Sequence, residues 1–152
     1  MNYDEYQIEA YKTAIYPKEY RIVYPILGLI GEIGEFLKNP IIDEAGDAFW
    51  YFGAACTDLG IYLESIVPNA SYYDYFSDAH FRLAEITKKI IRDGISDGKK
   101  EELIYWVGNY FSYFLFILYK NKIAPENAMR YNLQKLQSRQ QRGVLHGDGD
   151  DR

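Results

Sequence analysis

This 152-residue chain has only one cysteine, two histidines and five prolines. A lone Cys56 can form neither an intrachain disulfide nor a cysteine-rich zinc site, which fits a reducing, cytoplasmic setting. The residues three before His80 and His146 are Ser77 and Gly143, so the Glu-x-x-His pairs of di-iron helical bundles are missing. No GxxxxGK(S/T) phosphate loop occurs. Positive charge is also short: 17 Lys and Arg stand against 22 Asp and Glu, a net charge of −5. Nucleic acids and anionic membranes are bound mainly through basic patches, so neither is expected as a partner. The first residues, MNYDEYQIEAYK, are polar and acidic and carry no apolar h-region, so no signal peptide is expected there. The most apolar stretch, Tyr105 to Tyr119, falls short of the roughly 18 residues of a membrane span, and Asn109 and Ser112 interrupt it. It reads as a buried core helix.

What remains is a globular composition, 48% apolar and 26% charged, at a length that suits one domain over residues 1–152. Tyrosine is abundant, with 16 copies. Its rigid, half-polar ring suits a helical core, a subunit interface or a base-stacking pocket. The punctuation predicts helices over Tyr3 to Tyr16, Pro25 to Lys38, Ile42 or Asp43 to Ile66, Tyr75 to Asp93, Ser96 or Asp97 to Lys120, and Pro125 to Gln140. A loop is expected at 68–74 (PNASYYD), and the Gly- and Asp-rich tail GVLHGDGDDR is not expected to be helical. No stretch alternates at period two, so the fold is expected to be all-α, a bundle of five or six helices. Gly28, Gly31 and Gly34 recur inside the second helix, where each costs about 1 kcal/mol relative to Ala. Gly46 and Gly53 lie in the third. Small residues at such spacing let helices approach closely or leave room for a ligand.

The chemistry-bearing pattern is a pair of acidic pairs. Glu32 and Glu35 are three apart, as are Glu44 and Asp47, so each pair shares one helix face. Only Phe36 to Asp43 separate them, and Asn39-Pro40 falls inside that interval, which predicts an antiparallel hairpin with both pairs near one level. Facing carboxylates repel one another, and burial raises their pKa values, unless a cation neutralises them. Mg²⁺, a hard ion that favours oxygen ligands and is often shared with phosphates, is the natural candidate. A solvated acidic helix face is the plainer alternative. Cys56, inside an apolar helix, reads as a buried, inert thiol.

LGLIGEIGEF followed by DEAGDAFWYFGAACTDLGIYLESI resembles the MazG-like all-α nucleoside triphosphate pyrophosphohydrolases, whose signature is ExxE, a spacer and ExxD. MNYDEYQIEAYKTAIYP is similar to the first helix of small, often phage-borne members. The closing NLQKLQSRQQRGVLHGDGDDR resembles their N-x-x-KL-x-x-R-x-x-RG segment and terminal GDGDxR. The resemblance implies Mg²⁺-dependent hydrolysis of a nucleoside triphosphate to the monophosphate and pyrophosphate, by an oligomer of helical subunits. It assigns Glu32, Glu35, Glu44 and Asp47 to the metal, with Glu35 also orienting the attacking water. Lys38 would contact phosphate, Tyr51 would line the base pocket, and Asn132 and Lys135 would contact base or phosphate.

The spacing also departs from the family pattern. Asp47 and Asn132 are separated by most of the protein, and the intervening residues resemble a second, worn copy of the core unit at about 76–123. AEITKKIIRDG keeps Glu85, while Trp106 and Asn109 stand where the second acidic pair would be. A duplicated chain would mimic a dimer, its later half supplying Lys88, Lys89 or Arg92 to the phosphates. This puts the oligomeric state in question. An unrelated helical insertion is the alternative. A helical module that binds nucleotide or a partner without turnover is the rival to the hydrolase.

Overall fold

The computed structural model describes residues 1–67 and 76–152, so the loop expected at 68–74 lies outside the described residues. Six α-helices follow one another: α1 (Tyr3–Tyr11), α2 (Val23–Lys38), α3 (Ile42–Leu59), α4 (Phe76–Asp93), α5 (Asp97–Lys120) and α6 (Pro125–Gln141). Among the described residues there is no strand, so the all-α expectation holds. None of their helices is long and apolar enough to cross a membrane. The stretch from Tyr105 to Tyr119 lies within α5 and buries Val107, Tyr110, Phe111, Phe114, Ile117 and Leu118.

Two helix ends differ from the sequence expectation. The first helix stops at Tyr11, because neighbouring elements claim the residues beyond it. The hydroxyls of Tyr11 and Tyr16 both donate to the Asp58 carboxylate, at 2.6 and 2.8 Å. On a continued helix those side chains would diverge by about 140° and could not share it. Trp50 Nε1 reaches over from α3 to the carbonyl of Ala10 and to Thr13 Oγ1, which satisfies the frayed end. The third helix ends at Leu59, well before Ile66. Gly60 adopts φ +74° there, and Ile61 N–H bonds back to the Cys56 carbonyl in a Schellman-type closure. A short 3₁₀ turn over Leu63–Ile66 follows.

Helix α3 is the axis of the molecule, in contact with α1, α2, α5 and α6. Its small residues Ala45, Gly46, Ala48, Ala54 and Ala55 are buried and allow neighbours on several sides. Phe49 and Phe52 interlock with Phe111 and Phe114 of α5, with ring centroids 4.9–6.1 Å apart and mostly edge-to-face. Phe36 of α2 closes onto Phe114. Gly46 has a plain packing role, since a methyl group there would press on Asn132 and on the Ala128 carbonyl of α6. Gly28 makes room in the same way for the ring of Tyr51. Gly31 and Gly34 have open space beside them, so packing within the chain does not account for them.

Candidate functional site

Antiparallel packing of α2 on α3 brings the two acidic motifs to one level. Glu32, Glu35 and Glu44 each offer a carboxylate oxygen, and the three lie within 4.8 Å of one another. Glu35 is exposed and Glu32 and Glu44 are half-buried. Glu32 Oε2 is buried without a hydrogen-bond partner. Burial, reinforced by the charges of Asp47, Glu35 and Glu44, pushes the Glu32 carboxyl up to about 8. Burial and the charge of Glu35 also raise Glu44. All the donors are hard carboxylate oxygens, and one lacks any internal partner. That donor set fits a hard divalent cation.

Asp47, one turn along α3 from Glu44, is held by α6. Lys135 Nζ pairs with both Asp43 and Asp47 at 2.5 Å, and Asn132 Nδ2 donates to Asp47 at 3.1 Å. Asn132 Oδ1 in turn accepts from the buried Tyr6 hydroxyl at 2.8 Å. Burial raises the Asp47 carboxyl while Lys135 and, more weakly, Arg139 oppose the rise. Burial lowers Lys135, but Asp47 and Asp43 outweigh it and leave the ammonium raised.

Beside the carboxylates a cavity of about 620 Å³ opens. Glu32, Asp47 and Asn132 line it on one side, and Tyr16, Tyr20, Tyr24, Trp50 and Tyr51 give it aromatic walls. These rings brace one another. Tyr16 stacks on Tyr24 at 4.6 Å and meets Trp50 edge-on at 6.3 Å, and Trp50 meets Tyr51 at 4.9 Å. Asp58 fixes their bend: besides the two tyrosine hydroxyls it accepts the Ile22 N–H at 2.8 Å. Ile22, at the start of α2, has φ +71°, a strained conformation for a β-branched residue, of the order of 1–3 kcal/mol. The Asp58 hub holds that strain where the chain enters α2.

The C-terminal tail folds back over α6 and completes the wall with Leu145, His146, Gly147, Asp150 and Arg152. Arg152 donates to the carbonyls of Val144 and Gly149, and Arg142 donates to the Arg152 carbonyl. The tail is not helical, as its Gly- and Asp-rich composition leads one to expect.

Of the residues expected at the site, Glu32, Asp47, Tyr51 and Asn132 line the cavity, Glu35 and Glu44 complete the carboxylate cluster, and Lys135 sits behind Asp47. Lys38 is exposed at the end of α2 and is not part of the lining. Lys88, Lys89 and Arg92 are not in the lining either. Their helix turns them to solvent, where Lys88 pairs with Glu85 and Arg92 with Asp93. Cys56 is fully buried, and burial pushes its thiol up to about 12, the inert state expected of it. Sequence reasoning missed the wall of Tyr16, Tyr20 and Tyr24, which lie in a bend, a 3₁₀ turn and α2 and so share no helix face a pattern could show, and the partnership of Asp43 with Lys135. Comparison with family models, with curated proteins and with solved structures finds no match.

Proposed function

We propose that the chain is a Mg²⁺-dependent nucleoside triphosphate pyrophosphohydrolase of the MazG-like kind. The observation that carries the reading is the junction of the carboxylate cluster with an aromatic-walled cavity. One side suits a divalent cation and the other a base and sugar. Glu32, Glu35, Glu44 and Asp47 would hold Mg²⁺, and the orphaned Glu32 oxygen is the strongest mark of that fit. Bound there, the ion supplies positive charge against the phosphate oxygens and lowers the pKa of nearby water.

The chain's own residues do the rest. Glu35, the exposed member of the cluster, takes the proton of the attacking water as general base. The bond between the α- and β-phosphates breaks, the water oxygen stays on the monophosphate, and pyrophosphate leaves with the electron pair. Tyr51, Tyr16 and Trp50 offer ring faces and edges to the base. Asn132, fixed between Tyr6 and Asp47, keeps the Asp47 carboxylate aimed.

The test is incubation of the pure protein with Mg²⁺ and a panel of ribo- and deoxyribonucleoside triphosphates. The expected products are monophosphate and pyrophosphate in equal amounts, and release of orthophosphate contradicts the cleavage position. One observation favours a second reading. Lys135 already neutralises Asp47 from within the chain, as suits a module that binds nucleotide without turning it over. Calorimetric binding with no turnover on the whole panel selects that reading.

A further inference from the structure

Asp47 is bound through one of its two oxygens. Both donors that reach it, Lys135 Nζ and Asn132 Nδ2, converge on Oδ1. Among the described residues Oδ2 accepts no hydrogen bond, and the side chain is 23% exposed and lines the cavity. An ionised carboxylate only accepts, so the amide atom of Asn132 that faces Oδ1 has to be its nitrogen, and its oxygen then points the opposite way. There it meets α1. The fully buried Tyr6 donates its hydroxyl to Asn132 Oδ1 at 2.8 Å. The Tyr6 ring is braced edge-on by Phe49 at 6.1 Å. Asn132 is pressed close to α3 at Gly46, where a methyl group would come within 2.9 Å of its Cβ. Helices α1, α3 and α6 thus hold both partners in place, and the polar atoms run in one direction, hydroxyl to amide oxygen and amide nitrogen to carboxylate. Turned over, the amide would set one acceptor against another.

We propose that Tyr6 is a positioning residue for the cavity: its hydroxyl holds the Asn132 amide in the one orientation that ties down Asp47 Oδ1 and leaves Oδ2 as the single oxygen offered to a divalent cation. The proposal deepens the Mg²⁺ reading and rests on it for the identity of the ligand. It gives α1, which brings no acid to the cluster, a part in the site.

The test is Tyr6→Phe, which removes the hydroxyl and keeps the ring. In the ¹⁵N-labelled, metal-free parent the Asn132 side-chain amide, assigned by its loss in Asn132→Leu, gives two resolved, slowly exchanging proton resonances; in Tyr6→Phe they shift and exchange faster. Mn²⁺, which takes the same oxygen ligands as Mg²⁺, is then titrated into each full chain and followed by electron paramagnetic resonance. It binds about tenfold more weakly to Asn132→Leu, the usual loss when a residue that orients a metal ligand is removed, and about threefold or more weakly to Tyr6→Phe. The double variant binds no more weakly than Asn132→Leu alone, because Tyr6 acts through Asn132. Thr57→Val supplies the comparison. It deletes a hydroxyl bonded to Gln7, the neighbour of Tyr6 on α1, outside the cavity lining, and lowers stability without moving Mn²⁺ affinity. Parental affinity in folded Tyr6→Phe, or losses that multiply in the double variant, overturns the role of Tyr6. An Asn132 amide that resonates and exchanges like a free amide in the parent overturns it whether or not the variants fold. The two readings fail separately. A parent that binds no Mn²⁺ while its Asn132 amide responds to Tyr6→Phe removes the cation and leaves the orientation of Asn132 standing. Parental Mn²⁺ affinity in Tyr6→Phe removes Tyr6 and leaves the cation site.

Discussion

The hairpins α2–α3 and α4–α5 are built alike and packed together, α2 against α4 and α3 against α5, yet they treat charge in opposite ways. In α4–α5 every charged side chain on α4 from Arg82 to Asp93 is exposed or half-exposed, with Glu85 tied to Lys88 and Arg92 to Asp93. The inward face is Leu83, Ile86, Ile90, Val107, Phe111 and Phe114. Its buried amide, Asn109, donates to the Tyr105 carbonyl of its own helix. The α2–α3 hairpin instead brings three glutamates together beside Asp47; each hairpin buries one side-chain oxygen without a partner, the Thr87 hydroxyl on α4 and a carboxylate oxygen of Glu32 on α2. The comparison shows that closing the bundle requires no inward acid. The carboxylates of α2–α3 raise one another's pKa values, a cost that the second hairpin does not carry, and under the proposed function that cost marks the first hairpin as the binding side.

The largest effect separating the hairpins is expected in turnover. Glu35→Gln should lower kcat by about 10²–10⁴-fold, the usual worth of a general base, with helical circular dichroism unchanged. Full activity in that variant removes Glu35 from the chemistry.

How far the sequence reaches can be judged from the same hairpin. The i, i+3 acidic pairs and the Asn39-Pro40 break made the cluster legible, because helical periodicity and a short connection fix where side chains meet. Asn132 and Lys135 lie 85 and 88 positions from Asp47. Local pattern placed them on a helix but could not join that helix to α3, and only the resemblance to a known closing segment pointed to them. The early end of α1 was illegible for a related reason. It depends on Trp50 and Asp58, distant partners that compete with helix continuation. The end of α3 was legible in principle, since Gly60 supplies a left-handed C-cap ahead of the residues read as helical. The wall that the tail adds to the cavity exists only once α6 and the tail have met.

A second, smaller effect concerns the aromatic wall. Asp58→Ala removes three hydrogen bonds, from Tyr11, Tyr16 and Ile22, and should destabilise the protein by about 2–4 kcal/mol in urea unfolding. Wild-type stability in that variant would show that the hub does not hold the entry to α2.

The third effect is a pH dependence belonging to the first hairpin. Because burial and its acidic neighbours push Glu32 up to about 8, between pH of about 4.5 and 8 the folded chain holds a proton that the unfolded chain has released. Stability of the metal-free protein therefore falls as pH rises through that window. With a chelator present, the melting temperature should drop by roughly 4 °C or more from pH 5 to pH 8, and less in Glu32→Gln. A melting temperature that rises over this range in the parent contradicts the placement of Glu32.

The smallest effect is expected in the second hairpin. Lys88→Gln and Arg92→Gln alter exposed pairs on α4, outside the cavity, and should leave turnover and melting temperature at parental values. A tenfold loss of kcat/KM in either would bring α4 into the site and undo the division of labour between the hairpins.

The most direct measurement is Mn²⁺ binding followed by electron paramagnetic resonance, with Mn²⁺ standing in for Mg²⁺ at oxygen ligands. A saturable site in the parent chain, lost in the Glu32→Gln, Glu44→Gln double variant and kept in Lys88→Gln, is the expected result. Mn²⁺ that remains free in the presence of the parent chain, or that binds the double variant equally well, contradicts a cation site between α2 and α3.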